Sequence, residues 1–166
     1  AADRKTELAR FQLEYREPVA RERISDDLVN AIVATEDARF YDHGGIDYYG
    51  VFRALVNNLT GGSLEGASTI TQQFVRNTIL ADEMDDISIR RKVREAYIAL
   101  KLEKMYTKDD ILLMYLNTIN FGAGAHGAEV AAQRYFSKSA DELTLAEAAL
   151  LAGIPQSPTY NDPLQY

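Results

Sequence analysis

The apolar positions of this chain recur at three- and four-residue intervals, the spacing of residues that share one face of a helix. Leu28, Val29, Ile32, Val33 and Phe40 fall together on such a face and predict a helix from Ser25-Asp26-Asp27 to about residue 39. Ser25 offers a capping hydroxyl, and the two acids complement the dipole of the first turn. A charged segment, 3–15, carries Leu8, Phe11 and Tyr15 at helical spacing and predicts a short surface helix ending before Pro18. Residues 47–59 place Tyr48, Phe52, Leu55, Val56 and Leu59 on a narrow apolar stripe, and 88–102 do the same with Ile89, Val93, Ala96, Tyr97 and Leu100. The second stripe is read as a core face. The first suits either core packing or a surface that meets lipid, since aromatic-rich amphipathic helices do both. Further helices are predicted over 111–116, 128–136 and 148–152; Thr107-Lys108-Asp109-Asp110 and Thr144-Leu145-Ala146-Glu147 form capping boxes for the first and last, and Gly153 stops the last. Gly-rich segments at 61–66 and 117–127, an acidic turn at 82–86 and a proline-bearing tail separate these elements, and Asn117, Asn120, Phe121 and His126 either line a cleft or simply build their loop. The pattern as a whole predicts a mostly α domain with few or no strands.

Composition narrows this picture. A chain of 166 residues with 46% hydrophobic content fits one compact domain, 1–166, with a real core. The formal net charge of −7 argues against a nucleic-acid partner, so any anion site must be local. No run approaches the roughly 18 apolar residues of a spanning helix. With two His and no Cys, a zinc site of the usual nitrogen and sulfur ligands is not expected, whereas an oxygen-ligated cation stays open.

One acid breaks the apolar pattern. Glu36 falls in the middle of the first helix's hydrophobic face, where burial raises a carboxylate's pKa toward a range useful for proton transfer. The alternative is a buried Glu satisfied by an Arg or a backbone N–H. The polar, Gly-ended turn Phe40-Tyr41-Asp42-His43-Gly44-Gly45 follows at once, the kind of helix-to-loop junction where sites are built. Downstream, Thr69, Gln72, Gln73, Arg76 and Asn77 gather into one polar sector with donors, one cation and no acid, which suits a phosphate or sugar hydroxyls better than an ordinary solvated face. Glu95 shares a sector with Arg91, Ala99, Leu102 and Tyr106; alone it reads as an ion pair one turn from Arg91, and together with Glu36 it suggests paired acids opening on a shared groove, as in acetal chemistry.

The segments ATEDARFYDHG (34–44), GASTITQQFVRN (66–77), RKVRE (91–95), KDDILLMYLN (108–117) and RYFSKSADELTLAEAALLAGIPQ (134–156) occur in that order. Together they resemble the five motifs of bacterial peptidoglycan glycosyltransferases, the transglycosylase domain of class A penicillin-binding proteins and of monofunctional relatives. The resemblance implies a lysozyme-like helical fold with a small membrane-associated jaw lobe at about 44–66. It implies polymerisation of lipid II into β-1,4-linked glycan with release of undecaprenyl pyrophosphate, at the extracytoplasmic face of the cell membrane. By the same resemblance Glu36 is the general base on the acceptor 4-hydroxyl and Glu95 assists the pyrophosphate leaving group, directly or through Mg²⁺ or Mn²⁺. Asp37, Phe40 and His43 of the first motif, Ser68, Thr69, Gln72, Gln73, Arg76 and Asn77 of the second and Arg91 of the third are the implied substrate-binding residues. Implied partners are lipid II, the growing glycan strand, the membrane surface and moenomycin-type inhibitors, with a transpeptidase domain and a membrane anchor in a longer parent chain.

Two positions depart from the family pattern. Arg76 stands where Lys is usual, and Ala81-Asp82-Glu83-Met84-Asp85-Asp86 replaces a stretch that carries a basic residue in many relatives. Two other readings compete: a lysozyme-type enzyme that cleaves peptidoglycan, which needs no diphosphate site, and a non-catalytic helical module that grips a lipid or a partner.

Overall fold

The computed structural model describes residues 15–61, 66–83 and 86–164. The helix expected over 3–15, apart from its last residue Tyr15, which is in a strand, lies outside the described residues, as do parts of the 61–66 loop and of the acidic turn. Seven α-helices account for most of the rest: α1 (Asp26–Glu36), α2 (Tyr48–Leu59), α3 (Ile70–Thr78), α4 (Ile89–Leu102), α5 (Lys108–Leu116), α6 (Ala128–Phe136) and α7 (Leu145–Gly153). Two dipeptide strands, β1 (Tyr15–Arg16) and β2 (Ala125–His126), pair in parallel and pin the start of the described chain to the loop before α6. The fold is the mostly α, lysozyme-like class that the periodicity and the motifs imply.

Helix starts follow local chemistry. Ser25 caps α1 by accepting from the Leu28 N–H at 3.2 Å, and Thr69, Thr107 and Thr144 each open a helix with a complete capping box. The end of α1 differs from expectation. The helix stops at Glu36, three residues short of Arg39, because Asp37 leaves helical geometry and turns its carboxylate toward His43 and the N-terminus of α3. This places Glu36 at the last position of a rigid element.

Helix α1 packs along α7, and α3 packs against both α4 and α5. Leu28, Ile32, Phe40, Ile70, Ile111, Tyr115, Leu116, Leu151 and Ile154 form the centre of the core, while Val75, Leu80 and Ala99 lock α3 to α4. Gly45, at φ +88°, lets the chain pass so close to α4 that a Cβ would lie 3.0 Å from the Ala99 carbonyl.

Two stripes are not where core packing would put them. On α4 the expected core face is exposed, with Ile89 at 84% and Val93 and Tyr97 also open, and the buried side is the Glu95, Ala99 sector. On α2 only Gly50 and Ala54 are buried; Tyr48, Phe52, Leu55, Val56 and Leu59 all face outward. The core-packing reading of both stripes is therefore overturned. Among the described residues no helix is long and apolar enough to cross a membrane.

Candidate active site

Glu36 is half-buried at the tip of α1. Its Oε2 accepts a hydrogen bond from Gln73 Nε2 at 2.7 Å, and its Oε1 is buried with no hydrogen-bond partner. Desolvation by burial raises the carboxyl above its ordinary pKa of 4.5 and Asp37 adds to the rise, against the Gln73 hydrogen bond and the Arg76 charge, which lower it. Burial thus favours the protonated carboxyl, one oxygen of which is held by Gln73 while the other has no hydrogen-bond partner.

Two recesses meet at Glu36. One, of about 390 Å³, lies toward α2 and is lined by Thr35, Asp37, Arg39, Tyr49, Arg53 and Ser68 among others. The guanidinium of Arg39 stacks on the Tyr49 ring at 4.1 Å and pairs with Asp47. The other is a recess of about 220 Å³ floored by Ser68, Gln73, Arg76 and Gln156. Through Gln73, Arg76 and Gln156 it adjoins a cavity of about 600 Å³ that adds Asn77, Arg91, Asn120 and His126. Arginine side chains therefore lie on both sides of Glu36, with Asp37 and Asp47 also lining the α2-side recess.

Glu95 has a different role in the geometry. It is 0% exposed, one oxygen facing Arg91 Nη1 at 3.3 Å and the other taken by Lys92 Nζ. Lys92 Nζ also donates to Ser68 Oγ at 2.6 Å, on the rim shared by both smaller recesses. The expectation of two acids facing each other across an open groove is thus corrected: Glu95 sits behind two cations and anchors them. Lys92 escaped the sequence reading. At three residues from Glu95 it resembles an ordinary solvated lysine, and its contact with Ser68 spans 24 residues.

The remaining predicted residues divide into lining and support. Ser68, Gln73, Arg76, Asn77 and Arg91 reach the recesses. Asp37 is buried beneath Glu36, accepting from Ile70 N at 3.1 Å and bonded through both oxygens to His43 Nε2 at 3.0 Å. His43 Nδ1 is buried without a partner. Thr69 and Gln72 spend their side chains on the α3 capping box, and the Thr69 hydroxyl also donates to the Gly45 carbonyl at 2.8 Å. Phe40 is completely buried, with Lys108 Nζ 4.3 Å above its ring, and supports the loop from the core side rather than lining a recess. Of the loop residues, Asn117 ties down the Val19 backbone through both ends of its amide, Phe121 joins the core, and Asn120 and His126 line the large cavity.

Both Glu95 oxygens face cations, and no cluster of three His or acidic side chains suited to a metal exists among the described residues.

The site is thus a half-buried carboxylate at the end of a helix in a mostly α domain, where two recesses that carry arginine side chains meet. A family model described as Transglycosylase matches residues 4–166. Among similar proteins, penicillin-binding protein 1A of Clostridium tetani is 47% identical over 150 residues, which is 87% of this chain and 19% of that protein. Penicillin-binding protein 1A of Escherichia coli is 44% identical over 158 residues, covering 95% of this chain and 18% of the relative. That of Neisseria flavescens is 49% identical over 138 residues, 82% and 17% respectively. The chain spans under a fifth of the length of these relatives. It belongs to the transglycosylase family, as a peptidoglycan transglycosylase domain.

Proposed function

We propose that this domain polymerises lipid II. Glu36 takes the proton from the 4-hydroxyl of the acceptor sugar as that oxygen bonds to C1 of the donor. The C1–O bond to the diphosphate breaks in the same displacement, the configuration at C1 inverts, and undecaprenyl pyrophosphate leaves with the electron pair. The observation that carries the reading is the state of Glu36: one oxygen oriented by Gln73, the other without a donor, at the junction of two recesses. In this reading the acceptor occupies the Arg39, Tyr49, Arg53 side. The donor lies over Ser68, Gln73, Arg76 and Asn77, with Arg76, Arg91 and Lys92 offsetting diphosphate charge. Glu95 contributes through the cations it holds, and no step is assigned to Mg²⁺ or Mn²⁺.

The exposed stripe on α2 supports a jaw at about 44–66 that rests on the outer face of the cell membrane, where the lipid tails of both substrates remain. A transpeptidase domain in the parent protein and inhibition by moenomycin-type compounds belong to the same proposal. The cation-rich donor side speaks against a lysozyme-type hydrolase, whose uncharged substrate backbone needs no diphosphate site. Labelled lipid II in detergent, followed by separation of products, tests the choice. Long glycan and free undecaprenyl pyrophosphate are expected; cleavage of polymeric peptidoglycan with lipid II left intact overturns the proposal.

A further inference from the structure

We propose that Tyr115 is a positioning residue whose hydroxyl fixes the orientation of the Gln73 amide, and thereby which end of that amide meets the Glu36 carboxylate. The inference rests on the reading of Glu36 as the base. Tyr115 lies near the end of α5, fully buried in the core between Ile111 and Leu116. Packing alone would be served by Phe. The hydroxyl instead donates to Gln73 Oε1 at 3.0 Å, across 42 residues of sequence, and Gln73 Nε2 donates to Glu36 Oε2 at 2.7 Å. The three side chains, from α5, α3 and α1, form one directed chain of hydrogen bonds that ends on the reacting carboxylate.

The direction matters because a glutamine amide has two unlike ends. In the structure its NH₂ faces the carboxylate and favours the ionised form. Turned over, it would set a carbonyl oxygen against the carboxylate and leave the tyrosine hydroxyl hydrogen without an acceptor. Burial and the nearby Glu36 charge hold the Tyr115 hydroxyl well above its ordinary pKa, so it remains a donor across the working pH range. Other charges face Glu36 as well: Arg76 from α3, Asp37 next to it, and Arg39, Asp47 and Arg53 across the α2-side recess. All of these are untouched by the loss of one phenolic oxygen.

Tyr115→Phe tests this, with the Glu36 carboxyl followed by carbon NMR on glutamate-labelled protein and assigned by comparison with Glu36→Gln. In Tyr115→Phe the Glu36 titration is expected to move to higher pH. kcat/KM for lipid II falls about three- to ten-fold below the acid limb and recovers above it. In a Gln73→Ala background, Tyr115→Phe is expected to cause no further movement. An unmoved Glu36 titration in folded Tyr115→Phe overturns the inference, as does an equal movement in the Gln73→Ala background. If the titration moves but neither protein polymerises lipid II, the reaction assigned to the site fails and the positioning role of Tyr115 stands.

Discussion

Glu36 carries opposite consequences for activity and for stability. Its pKa is raised in the folded protein, so the fold favours the protonated form. That contribution to stability is complete below the ordinary value of 4.5 and is lost as pH rises through the raised value. In the proposed reaction the base must be ionised, so turnover is expected to rise over the same interval in which the fold loses this stabilisation. Glu36→Gln keeps the shape and the Gln73 contact while removing the charge. Its Tm is expected to exceed that of the wild type at neutral pH, with the difference closing as pH falls toward 4.5, as thermal melts across that range would record. A Tm below wild type at neutral pH would contradict the raised pKa. Glu36 was legible in the sequence because an acid interrupts an apolar stripe. Thr69 and Gln72 have a structural use that the polar sector concealed: the T-x-x-Q spacing that groups them on one sector also closes the α3 capping box. Tyr115 and Lys92 gave no signal, since their partners Gln73 and Ser68 lie 42 and 24 residues away.

At the scale of elements, periodicity found the helices, left the facing of α2 open between core and lipid, and missed which way α4 faces. A helical wheel groups Tyr48 with Phe52 and Leu59, or Ile89 with Val93 and Tyr97, but a stripe that meets lipid and one that meets a core have the same period. The neighbours decide. Ala54 and Gly50 give α2 its narrow buried side, and Ala99 with the ion-paired Glu95 gives α4 its own. The exposed side of α2 yields a prediction independent of chemistry. Phe52→Ser with Leu59→Ser removes two side chains, 65% and 77% exposed, that contribute little to packing. Sedimentation with anionic phospholipid vesicles is expected to fall several-fold while Tm changes by less than about two degrees. A large loss of Tm would mean that the stripe is part of the fold after all.

Over the whole molecule, the arrangement converts helix ends into a site. The C-terminus of α1 presents Glu36, α3 brings Gln73 and Arg76 beside it, and α4 supplies Arg91 and Lys92 held by Glu95. Five ordered motifs make the family legible in the sequence, while the burial of Glu95 and the pairing of β1 with β2 depend on contacts far apart in the chain. The central claim is that Glu36 moves a proton in the transfer step and contributes little to holding substrate. A single comparison of wild type and Glu36→Gln, with lipid II binding and polymer formation measured on the same preparations, tests it most directly. Binding within about three-fold of wild type with polymer formation down at least a hundred-fold is the predicted result. Polymer formation by Glu36→Gln at a rate near that of the wild type would contradict it.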